Sequence, residues 1–348
     1  MATIKFNNVG IRAIAACVPK KISSNYDLIN IMPDEDVEKT VNSIGIKEKR
    51  IAEEDVCSSD LCLKAAEKLF EDNQIDRGTI DMVLFLSQTP DYIIPATAPS
   101  LQVRLGLPKT AACLDLSLGC SGYVYALSTA FAYASVEGIN RILLMVGETF
   151  SKIVNTKDKV NAPLYGDAGT ATLIEKGNEG ASVFCLYSDG SGLPSVIIPA
   201  GGFRKQTNLD SLMVTEREDG NFRSDMEIFM DGMDVFNFAI GVVPKGVKEI
   251  MNIISRPVDD IDYLIFHQSN KFMTDFFVKK LKFDMNKVPY CLDKYGNTSS
   301  ASIPLTIVSE LKEISKKKIV MCGFGAGLSW GTAYIEPDHC IISELIEF

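Results

Sequence analysis

The chain has 348 residues and a formal net charge of −10, which argues against a nucleic-acid-binding surface. Its 46% hydrophobic and 23% charged residues are typical of a soluble globular protein, and its length allows one large α/β unit or two similar halves. No apolar stretch is long enough to span a bilayer, and the N-terminal residues show no signal-peptide pattern. We therefore expect a cytoplasmic protein without a membrane span.

The number and spacing of the cysteines also favour a cytoplasmic protein. The chain has nine cysteines, an odd number, and no C-x-x-C pair. This distribution predicts reduced thiols rather than a disulfide framework or a zinc site. The cysteines lie at positions 17, 57, 62, 113, 120, 185, 291, 322 and 340.

Short apolar runs alternate with helical windows along the chain, which predicts an α/β fold. The runs are continuous rather than alternating, as in strands whose sheet is covered on both faces. We predict strands at residues 11–16, 81–86, 111–115, 141–146, 170–174, 182–186, 262–266 and 318–321. We predict helices at residues 58–73, 123–137, 233–254 and 271–281, and a further buried helix that opens at Asn297.

The order of these elements repeats within the chain. In each half a strand is followed by a helix and then by a second strand, starting at residues 81, 120 and 141 and again at 262, 297 and 318. The pattern predicts a duplicated α/β unit with a join between residues 176 and 180. Residues 1–178 then form the half that carries a cysteine candidate, and residues 179–348 form the half that carries histidine and asparagine candidates.

Cys120 lies between a predicted strand and a predicted apolar helix, flanked by Gly119 and Gly122. At a helix N-terminus, unpaired N–H groups and the helix dipole favour negative charge, so we expect a lowered thiol pKa and a reactive thiolate. The same N–H groups can hold the oxyanion of a tetrahedral intermediate. The default interpretation of an arbitrary cysteine is a small buried hydrophobe. The glycine-flanked position favours the catalytic interpretation here.

A histidine and an asparagine also lie at element ends. His267 ends a predicted strand and is one of only two histidines, the other being His339. A lone histidine at a strand end is more often structural, but His267 is the evident candidate if catalysis uses an imidazole. Asn297, in Gly-Asn-Thr, is by default a turn or N-cap residue. A thiol, an imidazole and a carboxamide at element ends together favour an acyl-transferring enzyme.

Two glycine segments fit such a function. Residues 323–327 follow a predicted strand and can present backbone N–H groups to a reacting carbonyl, and residues 166–169 precede another. Neither segment is a phosphate loop, and the GxGxxG and Walker A patterns are absent. The sequence therefore calls for no nucleotide cofactor and no metal.

The ordered motifs resemble β-ketoacyl-acyl-carrier-protein synthase III, a decarboxylating condensing enzyme of the thiolase superfamily. The likeness runs nearly end to end and covers residues 45–51, 115–127, 165–169, 267–270, 296–304 and 323–331. The resemblance implies a thiolase-like, five-layered αβαβα fold of two similar halves. It also implies a homodimer.

The resemblance assigns a role to each candidate. Cys120 takes the acyl group from an acyl thioester, and a malonyl thioester then enters. His267 and Asn297 are expected to hydrogen-bond the malonyl thioester carbonyl and stabilise the enolate left as carbon dioxide departs. Backbone N–H groups of Cys120 and Ala326 are expected to hold the oxyanion. Supporting roles fall to Asn270 and Gly325.

The chain departs from the family pattern where the acyl donor binds. Housekeeping members clamp the coenzyme A adenine between a tryptophan and an arginine, and Lys39 and Ser43 occupy those positions here. Lys152 is the basic residue expected to meet the coenzyme phosphate. Ile94 replaces a phenylalanine that closes the acyl pocket of acetyl-specific members, so a longer or branched acyl group is expected. These departures favour a specialised member whose acyl donor is itself bound to a carrier protein.

Basic residues are expected to dock the acyl-carrier protein. Phe272 stands where family members have an arginine, with Lys271 beside it. Lys279 and Lys280 match basic docking positions, and Lys282 extends the patch. A solvated helix face is the competing interpretation.

Other functions remain open from sequence alone. Acyl transfer from Cys120 to an alcohol or amine needs the same residues. A thiolase would need a second catalytic cysteine, for which Cys322 is the candidate, and an elongating synthase would need a second active-site histidine, which His339 is badly placed to supply. A papain-like hydrolase shares the Cys, His, Asn order but not this α/β pattern. A scaffold without activity is disfavoured by the intact candidate residues.

Overall fold

The computed structural model describes residues 2–177 and 180–348, in which the chain forms eighteen β-strands and nine α-helices. The strands are β1 Ala2–Phe6, β2 Val9–Val18, β3 Ile22–Ser24, β4 Glu48–Arg50, β5 Met82–Leu86, β6 Ala112–Leu116, β7 Arg141–Thr149, β8 Asp167–Lys176, β9 Ser182–Ser188, β10 Val196–Ile197, β11 Thr215–Glu216, β12 Phe222–Arg223, β13 Phe229–Met230, β14 Tyr263–Phe266, β15 Ile319–Gly325, β16 Ser329–Ile335, β17 Ile341–Ile342 and β18 Ile346–Glu347. The helices are α1 Asp34–Ile44, α2 Ser58–Asn73, α3 Ala98–Arg104, α4 Gly122–Ser135, α5 Leu209–Leu212, α6 Gly232–Ile253, α7 Lys271–Leu281, α8 Leu292–Tyr295 and α9 Ser302–Glu310.

Two sheets share one strand pattern. The larger sheet has the order β17-β2-β8-β7-β5-β6, with β18 also paired to β2. The smaller sheet has the order β1-β9-β16-β15-β14. In both sheets an antiparallel trio is followed by a parallel neighbour: β2, β8, β7 and β5 in one, β9, β16, β15 and β14 in the other. The predicted duplication of the α/β unit is therefore confirmed.

The elements stack in five layers, α on β on α on β on α. Helices α2 and α3 cover the outer face of the larger sheet, and α6 and α7 cover the outer face of the smaller one. Helices α4 and α9 lie between the two sheets. A helix that contacts sheets on both sides must be apolar all round, and α4 buries Tyr123, Val124 and Ala126, which point in different directions around its axis. The thiolase-like α/β class predicted from sequence is confirmed.

The structure corrects three details of the sequence prediction. Asn297 does not open a helix, since α9 begins five residues later at Ser302. Strand β6, predicted as buried, lies at the edge of the larger sheet, where Leu114 is 37% exposed. Asp167 and the two residues after it belong to β8, whereas they were predicted to precede that strand. The predicted join at residues 178 and 179 lies outside the described residues, so the boundary between the halves stays a prediction.

The described residues contain no helix long and apolar enough to cross a membrane. Over the same ranges, no cluster of three or more His, Cys, Asp or Glu side chains could hold a metal ion.

Candidate active site

Cys120 lies two residues before α4 and lines a cavity. Its sulfur is 3.6 Å from the hydroxyl oxygen of Ser299, which comes from the other half of the chain. Backbone N–H groups of Cys120 itself and of Ala326 also hydrogen-bond the sulfur. The structure therefore places three hydrogen-bonding groups around the thiol.

Burial, rather than the helix, dominates the electrostatics of this thiol. The surrounding protein raises the pKa of Cys120 to about 11, because a thiolate there loses its hydration. The hydrogen bond from Ser299 lowers the pKa, the nearby Glu148 carboxyl raises it, and the two backbone donors lower it. The expectation of a lowered thiol pKa was wrong, because desolvation outweighs the donors. The side chain of Cys120 is therefore a neutral thiol at rest.

His267 follows β14 and is fixed from two sides. Its backbone N–H donates to the carbonyl of Cys322 at 2.7 Å, and its ring Nδ1 lies 2.8 Å from the hydroxyl of Ser302, the first residue of α9. The side chain is buried, which lowers the pKa of His267 to about 3, while a hydrogen bond with the Ser299 backbone acts in the opposite direction. The imidazole is therefore neutral at physiological pH, so one ring nitrogen carries a proton that it can share in a hydrogen bond.

The backbone N–H and the carbonyl of Asn297 are both hydrogen-bonded to the segment at residues 164–166. Its N–H donates to the carbonyl of Leu164, and its carbonyl accepts from the N–H of Gly166. Its side-chain Oδ1 accepts from the N–H of Ser299 at 2.9 Å. That bond occupies the oxygen, and the amide Nδ2 is the group that can donate to a substrate carbonyl.

Two cavities meet at Cys120. A cavity of about 70 Å³ is lined by all three predicted catalytic residues together with Asn270, Gly325 and Ala326. A second cavity, of about 190 Å³, runs from Cys120 between apolar side chains; these are Phe150, Ile153, Tyr165, Val196, Ile197, Ile198 and Ile228. The smaller cavity thus holds the polar groups, and the larger one offers an apolar surface to an acyl chain.

The two predicted supporting residues have clear structural reasons. Gly325 has a φ of +157°, and a Cβ there would lie 2.7 Å from the Cβ of Cys120. Only glycine lets this backbone pass so close to the nucleophile. Asn270 is the N-cap of α7, and its Oδ1 accepts from the N–H of Met273 at 2.8 Å. It fixes the turn between His267 and that helix.

Other predicted residues lie away from the cavities. Ile94 is 81% exposed and lines neither of them, so within a single chain it does not close the acyl pocket. Lys152 donates to the carbonyl of Glu54 at 2.8 Å. Lys271 pairs with Asp275 on α7, and Lys279 and Lys280 are exposed in the last turn of that helix.

The sequence interpretation missed several residues of the site. Glu148 is fully buried, and its carboxylate accepts from the Ser300 hydroxyl at 2.8 Å and from the Gln88 N–H at 3.1 Å. Burial raises its carboxyl pKa to about 7. The signal for Glu148 was a charged residue inside an otherwise apolar strand. Ser299 lies in a motif that was singled out only for Asn297, and the aliphatic wall at 196–198 carried no sequence signal.

Comparison with known proteins shows which family the chain resembles. Residues 114–190 match the family model described as 3-oxoacyl-[acyl-carrier-protein] synthase III, and residues 255–336 match the model of its C-terminal part. A putative 3-oxoacyl-[acyl-carrier-protein] synthase 3 of Campylobacter jejuni is 35% identical and covers 95% of this chain and 94% of its own. A β-ketoacyl-[acyl-carrier-protein] synthase III of Clostridium acetobutylicum is also 35% identical, over 95% and 99%. The crystal structure of a 3-oxoacyl-(acyl-carrier protein) synthase from Burkholderia xenovorans superposes with a TM-score of 0.92 at 37% identity, over 100% and 99% of the two chains.

We expect Gly325→Ala to slow acylation of Cys120 by at least about 100-fold, because the new Cβ displaces the nucleophile. The rate of acyl-adduct formation can be followed by intact-protein mass spectrometry. Gly202→Ala is the matched control, since a Cβ there meets no described atom within 4 Å. Native-like acylation by a folded Gly325→Ala protein would contradict the close contact.

We expect the His267 ring to show no titration between about pH 8 and pH 5, because its lowered pKa of about 3 keeps it neutral over that range. The measurement is the pH dependence of the histidine ring signals by NMR. The chain has only two histidines, so His267→Gln assigns the signal by its loss. A titration midpoint between about 6 and 7 would show that the ring is not desolvated as described.

Proposed function

The chain belongs to the 3-oxoacyl-[acyl-carrier-protein] synthase III family, and we propose that it joins an acyl thioester to a malonyl thioester by decarboxylative Claisen condensation. The observation that carries this proposal is the convergence of Cys120, His267 and Asn297 on one cavity. The scattered, unpaired cysteines support the expectation of a cytoplasmic enzyme.

In the first half-reaction the Cys120 sulfur attacks the thioester carbonyl. The S–C bond to Cys120 forms, the C–S bond to the first carrier breaks, and the thiol proton ends on the departing carrier thiol. Backbone N–H groups of Cys120 and Ala326 are directed at the sulfur and are placed to hold the oxyanion beside it. The acyl chain then occupies the apolar cavity of about 190 Å³.

In the second half-reaction a malonyl thioester enters the smaller cavity. The neutral His267 ring and the Asn297 amide donate hydrogen bonds to its thioester carbonyl. These bonds strengthen as the carboxylate leaves as carbon dioxide and the carbonyl becomes an enolate. The enolate carbon attacks the acyl carbon, the bond to Cys120 breaks, and the released thiolate takes a proton from solvent.

The position of Cys322 argues against a thiolase-type reaction. Cys322, the candidate for a second catalytic thiol, is buried in β15 and hydrogen-bonded to the Thr332 hydroxyl at 3.5 Å. It lines neither cavity at Cys120, and burial raises its pKa to about 12.

We propose that the acyl donor is bound to a carrier protein rather than to coenzyme A. Lys39 forms an exposed ion pair with Asp36 at 3.3 Å and, with Ser43, replaces the expected adenine clamp. The exposed lysines of α7 support docking of an acidic carrier near the cavity, and a solvated helix face is the competing interpretation.

The two half-reactions are expected to separate by mutation. Cys120→Ala should lose the acyl adduct and retain decarboxylation of malonyl-acyl-carrier protein, because His267 and Asn297 remain. Asn297→Ala should retain the adduct and lose decarboxylation about 100- to 1000-fold, as when one carbonyl donor is removed. Intact-protein mass spectrometry detects the adduct, and release of labelled carbon dioxide measures the second step.

The acyl panel should range from acetyl to longer and branched chains, each on coenzyme A and on a carrier. Comparable turnover of both forms would reject the carrier-bound donor.

Cys322→Ala is the matched control for Cys120→Ala and should still form the acyl adduct. An adduct that survives in Cys120→Ala, or one that the malonyl thioester cannot discharge, would contradict the condensing mechanism, and the latter would point to transfer onto an alcohol or amine.

We also propose a homodimer formed through β6. This strand ends the larger sheet, and exposed edge strands readily pair with another chain. The apolar run Tyr92, Ile93 and Ile94 is exposed beyond β5. If Ile94 contacts an acyl chain, it does so across that interface, because it does not line the cavity of its own chain.

We expect Leu114→Asp on β6 to convert a dimer into a monomer, because it puts a charge into the proposed apolar interface. Light scattering measures the mass in solution. Leu209→Asp, also at an exposed leucine but on α5, should leave the mass at twice that of the chain. A native protein of single-chain mass at high concentration would reject the proposal.

A further inference from the structure

One buried serine contacts all three groups that converge on the cavity. The Ser299 hydroxyl oxygen lies 3.6 Å from the Cys120 sulfur. Its N–H donates to Oδ1 of Asn297 at 2.9 Å, and its backbone hydrogen-bonds the His267 ring. Ser299 is completely buried. Its contacts therefore serve the interior of the site rather than the surface.

The backbone of Ser299 adopts a conformation that side chains disfavour. Its φ is +49°, in the left-handed region that glycine adopts without strain and that other residues adopt at an energetic cost. Two hydrogen bonds hold it there: its own N–H to Asn297, and the hydroxyl of the next residue, Ser300, to Glu148 at 2.8 Å. Glycine would fit this backbone without strain, so the presence of a side chain points to a use for the hydroxyl.

The chemistry of Cys120 supplies that use. Attack requires the thiolate form of Cys120, and burial opposes its formation. Each hydrogen-bond donor directed at the sulfur therefore favours the thiolate. Two donors are backbone N–H groups that mutation of a side chain cannot remove. The Ser299 hydroxyl can rotate to donate when the sulfur is negative and to accept when it is protonated.

We propose that Ser299 is a catalytic residue whose hydroxyl donates a hydrogen bond to the Cys120 thiolate and so promotes acylation. The part of this proposal that concerns acylation rests on the proposed function. The hydroxyl gives up no atom: the S–C bond to Cys120 forms, the donor C–S bond breaks, and the thiol proton leaves with the departing carrier thiol. The same residue positions Asn297 and His267 through its backbone, and those bonds do not need the hydroxyl.

Two variants test the role of the hydroxyl. Ser299→Gly removes it and fits the left-handed backbone, whereas Ser299→Ala removes it and keeps a Cβ. The readout is the rate of Cys120 alkylation by iodoacetamide over a pH series, measured by peptide mass spectrometry. We expect the midpoint to rise by about one pH unit and alkylation at neutral pH to fall about tenfold, because the thiolate loses a donor.

Ser128→Ala is the matched control, because it removes a buried hydroxyl whose partner is the carbonyl of Tyr125 in the same helix. Its midpoint should equal that of the native protein. An unchanged midpoint in a folded Ser299 variant, even with slower alkylation, would assign Ser299 a structural role and overturn the proposal. Alkylation needs no thioester, so this result is independent of the proposed condensing activity, whose failure would appear separately as the absence of any acyl adduct.

Discussion

The backbone contact between the glycine segment of β15 and the residues at Cys120 is the constraint on which the site depends. A Cβ on Gly323 would lie 2.8 Å from the Cα of Ser121, and one on Gly325 would lie 2.7 Å from the Cβ of Cys120. At these two positions the two halves therefore leave no room for a side chain. This closeness brings the N–H of Ala326 to the sulfur and sets β14, with His267 at its end, beside the nucleophile. Neither half contains a complete site.

The same closure determines the electrostatics. Because burial desolvates these side chains, the thiol of Cys120 and the ring of His267 are both neutral at rest, and the pKa of Glu148 is raised. The site therefore holds few resident charges. Its reaction passes through an oxyanion and an enolate, and directed N–H donors stabilise such charges without reorganising solvent.

Glu148 links the parts of the site that come from different halves. Its carboxylate accepts hydrogen bonds from Ser87, Gln88 and Thr89 after β5 and from Ser300 in the segment after Asn297. Gln88 lines the larger cavity, and Ser300 adjoins the serine that contacts the thiol. A single buried carboxylate with four partners thus couples the wall of the larger cavity to the segment that carries Asn297 and Ser299. Buried networks of this kind stabilise one arrangement because every partner lost leaves an unpaired polar group.

Local pattern was enough to predict many elements. The bounds of α2 and α7 agree with the prediction, and β5 begins one residue later than predicted, because periodicity and caps such as Asn270 act within a few residues. The candidates Cys120, His267 and Asn297 could likewise be named, since a rare reactive side chain at an element end is visible in the sequence.

Tertiary structure alone decided the rest. The edge position of β6, the exposure of Ile94, the neutral state of Cys120 and the contacts of Ser299 and Glu148 all depend on which surfaces meet. Cys120 and Ser299 are 179 residues apart in sequence and 3.6 Å apart in space. Propensity and spacing carry information over a few turns of chain, whereas desolvation and hydrogen-bond partners are set by residues that only folding brings together.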